Sequence, residues 1–199
     1  MGNMARSFQL AILIAVSGCG AGISNYDYSR ESDIRKTEYV IGIGDTLQVR
    51  VWKNPELTTD PQVRPDGTIT MTLIGDIRAA GLTPTQLRDI IKDRLKQFIR
   101  DEDSAVTVAV TSVQSYQITV SGRVAHPGVV SSYHYLTVVE AVALAGGPTS
   151  FASAADTFLL RLNPDGSTRR IPIRYDLVVK GEHQEMNLVL KRGDQLVIP

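Results

Sequence analysis

The residues that could do chemistry are few and scattered. Three histidines, His126, His134 and His183, and one cysteine, Cys19, are the soft ligands and nucleophiles on offer. No two of them stand at zinc-ligand spacing. His126 precedes Pro127-Gly128, His134 lies between Tyr133 and Tyr135, and His183 sits in a charged stretch. Each reads as a surface or turn residue. Asp101-Glu102-Asp103 sets three carboxylates side by side, and such a run could hold a divalent cation. Neighbours in an extended loop point apart, however, and no further ligand stands near. Gly42-Ile43-Gly44 lacks the third glycine of a dinucleotide fingerprint and precedes a strand instead of following one. Neither a P-loop nor a Gly-x-Ser-x-Gly elbow occurs. The expectation is a chain with no catalytic residue, no metal and no cofactor. A glycosidase carboxylate pair stays open, because such pairs meet only in space. Trp52, Tyr133 and Tyr135 have rings that could stack on sugars, but core or interface packing is the simpler reading.

Composition narrows the class. The chain has 199 residues, 43% of them apolar, enough for one large or two small domains. Lys plus Arg equals Asp plus Glu at 21 each, and no dense basic run occurs, which argues against a nucleic-acid partner.

The stretch from Tyr39 to Thr83 is a series of short apolar segments cut by Gly-Asp or Asp-Gly turns. Gly44-Asp45 leads into Leu47–Trp52, which alternates with the period of a half-buried strand. Asp66-Gly67 separates Val63-Arg64 from Thr68–Met71 and predicts a hairpin there. Gly75-Asp76 closes the stretch. Gly193-Asp194, before Gln195–Ile198, echoes the opening turn, so one device launches the first and last strands. Thr83, Pro84 and Gln86 make a capping box with proline at the first helical position. The helix is expected from Pro84 to about Ile99, with Leu87, Ile90, Ile91, Leu95, Phe98 and Ile99 inward. Its basic outer face reads as solvated. Ala105–Val113 alternates again and reads as a closing strand.

A boundary is expected at 114/115. The second unit begins with the strand Tyr116–Val120, turns at Pro127-Gly128 and returns over Val129–Tyr133. Thr137 and Glu140 form a second capping box, for a short helix burying Val138, Val139, Val142 and Leu144. Gly146-Gly147-Pro148 stops it. Strands on either side of Asn163–Gly166, then Asn187–Leu190 and Gln195–Ile198, complete a small mixed sheet of β-grasp type. The predicted class is α+β: two small mixed-sheet domains, 39–114 and 115–199, each with one main helix.

The amino end reads as a targeting segment. Arg6 supplies charge, and Phe8–Val16 is an apolar run far short of the roughly 20 residues of a membrane span. Val16-Ser17-Gly18-Cys19 resembles a bacterial lipobox, which makes 1–18 a lipoprotein signal peptide and Cys19 the acylation site. The alternative is an ordinary signal peptide with an incidental cysteine. Gly20, where aspartate would favour inner-membrane retention, points to the outer membrane. Residues 19–38 have no sustained periodicity and read as a tether, with Tyr26 and Tyr28 exposed.

The ordered set Tyr39, Gly44-Asp45, Val49-x-Val51-Trp52, Pro55-Glu56-Leu57, Val63-Arg64, Asp66-Gly67, Ile74-Gly75 and Gly81-Leu82-Thr83 resembles the outer-membrane polysaccharide export family, the Wza-like proteins. The resemblance runs on through Ser121-Gly122, Pro127-Gly128 and Ala145-Gly146-Gly147 to Gly193-Asp194. Thr72 departs from it, standing where a proline is expected. The resemblance implies a polysaccharide export domain followed by an SLBB β-grasp domain. It further implies a non-enzymatic lipoprotein facing the periplasm, a homo-oligomeric ring around a polysaccharide, and an inner-membrane co-polymerase of tyrosine-kinase type as partner. Pore-forming relatives carry a long amphipathic helix after these domains. This sequence stops at Pro199, so the expectation is that a separate outer-membrane β-barrel supplies the crossing. Arg50, Arg64, Arg78 and Arg123 could face an acidic polymer, and exposed edges such as Val106–Val110 could pair between protomers. A lipid-anchored saccharide-binding module is the second reading, and an envelope hydrolase the third.

Overall fold

The computed structural model describes residues 25–99 and 105–199. The leader, Cys19 and the acidic run at 101–103 lie outside the described residues.

Alternation in TLQVRV gives strand β1 (Thr46–Val51), with Leu47, Val49 and Val51 buried. It pairs antiparallel with β4 (Val106–Ser112), Val49 opposite Val108. On its other side the N–H groups of Leu47 and Val49 donate to the carbonyls of Pro61 and Thr59 at 2.9 and 2.8 Å. Strands β2 (Thr68–Met71) and β3 (Gly75–Arg78) form an antiparallel hairpin, and Leu73 at its tip takes φ 68°. The hairpin thus lies one turn later than the sequence suggests. Asp66-Gly67 does turn the chain, with Gly67 N–H on the Arg64 carbonyl at 2.8 Å. Val63 is occupied elsewhere: its N–H donates to the Asp45 carbonyl and its carbonyl accepts from Gly44 N–H, both at 2.9 Å.

Helix α1 (Pro84–Leu95) begins with the predicted capping box, Thr83 and Gln86 each bonding the other's backbone. It ends four residues short of the expected Ile99. The N–H groups of Phe98 and Ile99 both donate to the Leu95 carbonyl, at 2.8 and 3.0 Å, which tightens the last turn and leaves Phe98 exposed. Leu87, Ile91 and Leu95 join the strands in one core.

The second core lies under a five-stranded sheet of order β6-β5-β9-β7-β8. Its members are β5 (Gln117–Gly122), β6 (Gly128–Ser131), β7 (Phe158–Leu162), β8 (Thr168–Pro172) and β9 (Gln195–Ile198). β5 and β9 run parallel and the other pairs antiparallel, so the last strand of the chain sits at the centre. Asn187–Leu190, expected as a strand, instead ties down the start of α2 (Val138–Leu144). Val138 N–H donates to the Leu188 carbonyl at 3.1 Å, and Leu190 N–H to that of Leu136 at 2.8 Å. The inward face of α2 carries Val138, Ala141, Val142 and then Ala145. Leu144, expected inward, falls off that spacing and is 58% exposed. Gly146 and Gly147 end the helix, donating to the carbonyls of Ala143 and Val142 at 3.0 and 2.9 Å, a Schellman closure. A short helix α3 (Tyr175–Val178) closes the underside.

The tether reading is corrected for the described part of that segment. Two 3₁₀ turns, Tyr28–Arg30 and Ile34–Lys36, are each capped by the preceding aspartate. Tyr28 is buried, and its hydroxyl donates to the Pro172 carbonyl at 2.6 Å. The sequence hides this, because the partner lies 144 residues away. The fold is α+β.

Candidate functional site

The two Gly-Asp turns repeat one geometry. Gly44 takes φ 90° and Gly193 φ 79°, the left-handed region where a side chain is strained. In each turn the aspartate N–H returns to the carbonyl three residues earlier, Gly42 at 3.3 Å and Lys191 at 3.0 Å. In each, a carboxylate oxygen accepts the N–H of that same residue, at 2.8 Å for Asp45 and 2.7 Å for Asp194. Both aspartates are buried.

What differs is the partner each carboxylate holds from afar. Asp45 accepts the N–H groups of Gln114 and Ser115 at 2.9 and 2.8 Å, the Ser115 hydroxyl at 2.9 Å and the Tyr39 hydroxyl at 2.6 Å. Burial pushes this carboxyl up, but the donors pull harder the other way and leave it below the usual aspartate range. Tyr39 is pushed up to about 12, by its own burial and then by the charge it donates to. Asp194 instead holds Arg161, which is itself buried, through Nε at 3.0 Å and Nη2 at 2.5 Å. Arg161 Nη1 reaches Glu31 at 2.5 Å, and Arg169 meets the same carboxylate at 2.9 Å. Burial raises the Glu31 carboxyl, and its bonds to Tyr26 and Arg161 more than reverse this.

The two turns also touch. Arg192, in the second, donates to the Val40 carbonyl beside the first at 2.6 Å. A Cβ on Gly42 would collide with the Arg192 guanidinium and the Ser115 side chain, so only glycine fits there. Beside this contact lies a crevice of about 290 Å³, lined in part by Tyr39, Tyr116, Tyr135, Lys191 and Arg192. Tyr116 meets Tyr135 edge to face at 5.3 Å between ring centroids. Lys191 is held below its ordinary range, first by burial and then by Arg161.

Two of the three aromatic residues proposed for packing are not packed. Tyr133 is 89% exposed and Trp52 64% exposed; Tyr135 alone is partly buried against the second core. Trp52 stands just past the end of β1, where the alternation that buries Val51 turns the next side chain outward. It borders a hollow of about 430 Å³ shared with Arg50, Lys53, Pro55 and Thr107.

Of the arginines, Arg50 pairs with Asp60 at 2.9 Å and Arg64 with Asp66 and Asp76 at 3.0 Å each. The Asp66 carboxyl falls to about 2, chiefly through the Thr68 hydroxyl and backbone N–H and then Arg64. Gly67 and Gly75 take φ 80° and 67°, whereas Gly128 simply opens β6 after Pro127. Among the described residues no three His, Cys, Asp or Glu side chains gather as a metal site, and no helix is long and apolar enough to cross a membrane. Sequence reading missed Glu31, Arg161 and Arg192. No local signal marks them, since their partners are far along the chain.

Residues 34–111 match the family described as polysaccharide biosynthesis/export protein, and residues 117–172 match the SLBB domain. The chain is 30% identical over 151 residues to the exopolysaccharide production protein ExoF of Rhizobium meliloti, covering 70% of this chain and 33% of that one. It is 25% identical over 189 residues to the capsule polysaccharide export outer membrane protein CtrA of Neisseria meningitidis, covering 85% and 46%. It is 28% identical over 184 residues to the EPS I polysaccharide export outer membrane protein EpsA of Ralstonia nicotianae, covering 80% and 47%. It therefore spans between a third and about half of the length of these relatives. The export-family match takes in β1 to β4 and the SLBB match takes in β5 to β8, one after the other in a single chain. The chain carries a polysaccharide biosynthesis/export domain over residues 34–111 and an SLBB domain behind it over residues 117–172.

Proposed function

We propose that this chain is a non-enzymatic component of a capsular or extracellular polysaccharide export machine. It is a periplasmic collar, anchored at the outer membrane through acylated Cys19. The observation that carries this reading is the export domain and SLBB domain in tandem, shared with relatives named for exopolysaccharide production and capsule export. The internal chemistry is consistent with a wall module. The buried carboxylates Asp45, Glu31 and Asp194 are engaged by donors from the fold itself.

In this reading the chain divides at 114/115 and assembles as a homo-oligomeric ring around the polymer. An inner-membrane co-polymerase of tyrosine-kinase type meets it from below. The outer edge of β4 bonds to no strand among the described residues, and unpaired edges recruit partners. Closed cyclic symmetry would then complete the ring.

The test is deletion of the gene in the producing cell, with complementation by the wild-type chain and by Cys19→Ser. Deletion is expected to leave polymer in the periplasm, and Cys19→Ser to restore release poorly. Normal release by the deletion strain sinks the proposal.

A second reading, a saccharide- or small-ligand-binding module, is favoured by the tyrosine-lined crevice beside Arg192. Saturable binding to a monomer, abolished by Tyr135→Ala, would move it ahead.

A further inference from the structure

Trp52 is the only tryptophan in the chain and it is 64% exposed. Large aromatic surface left in water at a fixed position costs free energy that packing would recover. The surroundings of Trp52 fix its backbone. Its N–H donates to the Ala105 carbonyl at 2.9 Å, and its carbonyl accepts from Asn54 Nδ2 at 2.9 Å. Asn54 N–H closes the turn on the Val51 carbonyl at 3.2 Å. Lys53, between them, is held at φ 57°, a conformation that residues with a Cβ avoid and that turns often assign to glycine. Leu57 then anchors the following 3₁₀ turn in the core. The indole therefore stands on a rigid corner, beside the hollow of about 430 Å³.

The polar side chains lining this hollow are Arg50, Lys53, Thr58 and Thr107, and Asp60 meets Arg50 from beside it. Arg50 lies across the strand pair from Thr107 and is bonded to Asp60 through both terminal nitrogens, at 2.9 and 3.4 Å. A guanidinium and a carboxylate locked together offer donors and acceptors side by side. That suits hydroxyl groups, which are both at once, better than it suits a bare anion. The indole face suits the C–H face of a pyranose, because a π-face attracts weakly positive hydrogens. Tyr133 is more exposed but has only a hollow of about 60 Å³ beside it, and its ring already meets His134 edge to face.

We propose that Trp52 is a sugar-stacking platform. One pyranose ring of the exported polymer lies on the indole, with its hydroxyls on Arg50 and Thr107. The site reads the shape and hydroxyls of the sugar, not its charge. It gives the polymer a weak contact that forms and breaks as the chain moves past. This inference rests on the export reading and assigns that reading a residue.

The test uses the intact protein and a defined probe: oligosaccharides from partial acid hydrolysis of the polymer that the producing cells release. Emission from the single tryptophan reports on the site directly. Saturable quenching or a blue shift is expected. Isothermal titration should show Trp52→Ala weakening binding about tenfold and Trp52→Phe by only about threefold, since the phenyl ring keeps part of the stacking face. The side chain is exposed, so both variants should fold, which circular dichroism checks. Affinity should change less than about threefold between low and high salt, because Arg50 is already paired with Asp60 and the sugar hydroxyls it meets carry no charge. Unchanged emission at saturating oligosaccharide, equal affinity for Trp52→Ala, or a steep loss of affinity with salt would each overturn the inference. The two proposals fail separately. A deletion strain that still exports removes the export reading. A deletion strain that fails to export, with oligosaccharides that leave Trp52 emission untouched, removes only the platform.

Discussion

Asp45 gathers five donors on two oxygens, four of them from residues outside its own turn or at its rim. Replacing it by asparagine turns one acceptor into an NH₂ group facing N–H and O–H donors. We expect Asp45→Asn to cost about 3 kcal/mol at neutral pH, seen as a lower urea midpoint. The cost depends on pH. The folded carboxyl titrates below its usual range. Its contribution is therefore full above an unfolded aspartate pKa of about 3.9 and fades as pH falls through the lower folded value. The gap between wild type and variant should narrow in strong acid, and a gap that stays constant to pH 2 would contradict this. The sequence marks Gly44-Asp45 and its echo Gly193-Asp194 as strand-launching turns. It does not say that one carboxylate receives the 114–115 link and the other receives Arg161, because those donors come from elsewhere in the fold.

The elements with local signals were the legible ones. Both capping boxes, the Gly146-Gly147 stop and the hairpin at Asn163–Gly166 each depend on residues within about five positions of one another. The segment before Tyr39 depends on distance. Glu31 is buried only because β7 brings Arg161 and β8 brings Arg169 to it. A polar stretch with no periodicity gives no hint of this. We expect Glu31→Gln to remove about 3 kcal/mol of docking, since breaking a buried pair leaves a charge uncompensated. Trypsin should then cut after Arg30, Arg35 and Lys36 far faster than in wild type, with the remainder of the chain still protected. Equal cutting rates would show that Tyr28, Tyr26 and the Lys191–Ser32 bond hold the segment without Glu31. The misplaced hairpin has a similar origin: Asp66-Gly67 has the right turn residues, but Val63 is claimed by the Gly44-Asp45 turn.

At the scale of the molecule, Arg192 joins the two halves together with Asp45 and with Tyr39, whose hydroxyl meets Ser115 Oγ at 3.0 Å and whose ring stacks on Tyr135. Arg192→Ala removes its bond to the Val40 carbonyl and opens the crevice lined by Tyr39 and Tyr135. Small-angle scattering should report a larger radius of gyration for the variant, with melting changed by less than about 1 kcal/mol, since the side chain is largely exposed. No change in scattering would place the coupling in Asp45, Ser115 and Tyr39. The unpaired edge of β4 makes a second prediction. Trp52 N–H bonds the Ala105 carbonyl, so alternation turns the backbone of Val106, Val108 and Val110 away from β1. Val108→Pro deletes an outward N–H while sparing the β1 ladder. On the ring proposal, it should leave a folded chain that runs as a monomer on a sizing column where the wild type runs as a higher oligomer. Oligomers of unchanged size would remove β4 from the contact.

The docking of residues 26–32 on β7 and β8 has a mechanical meaning. The first described residues of the chain lean on the SLBB half, passing by the export half that follows them in sequence. A pull applied at the amino end is carried through Tyr28, Glu31 and Arg161 into the central strands of the five-stranded sheet. The export half hangs outside that load path. In the proposed anchored collar, that half would be spared the tension of the anchor as the polymer moves past.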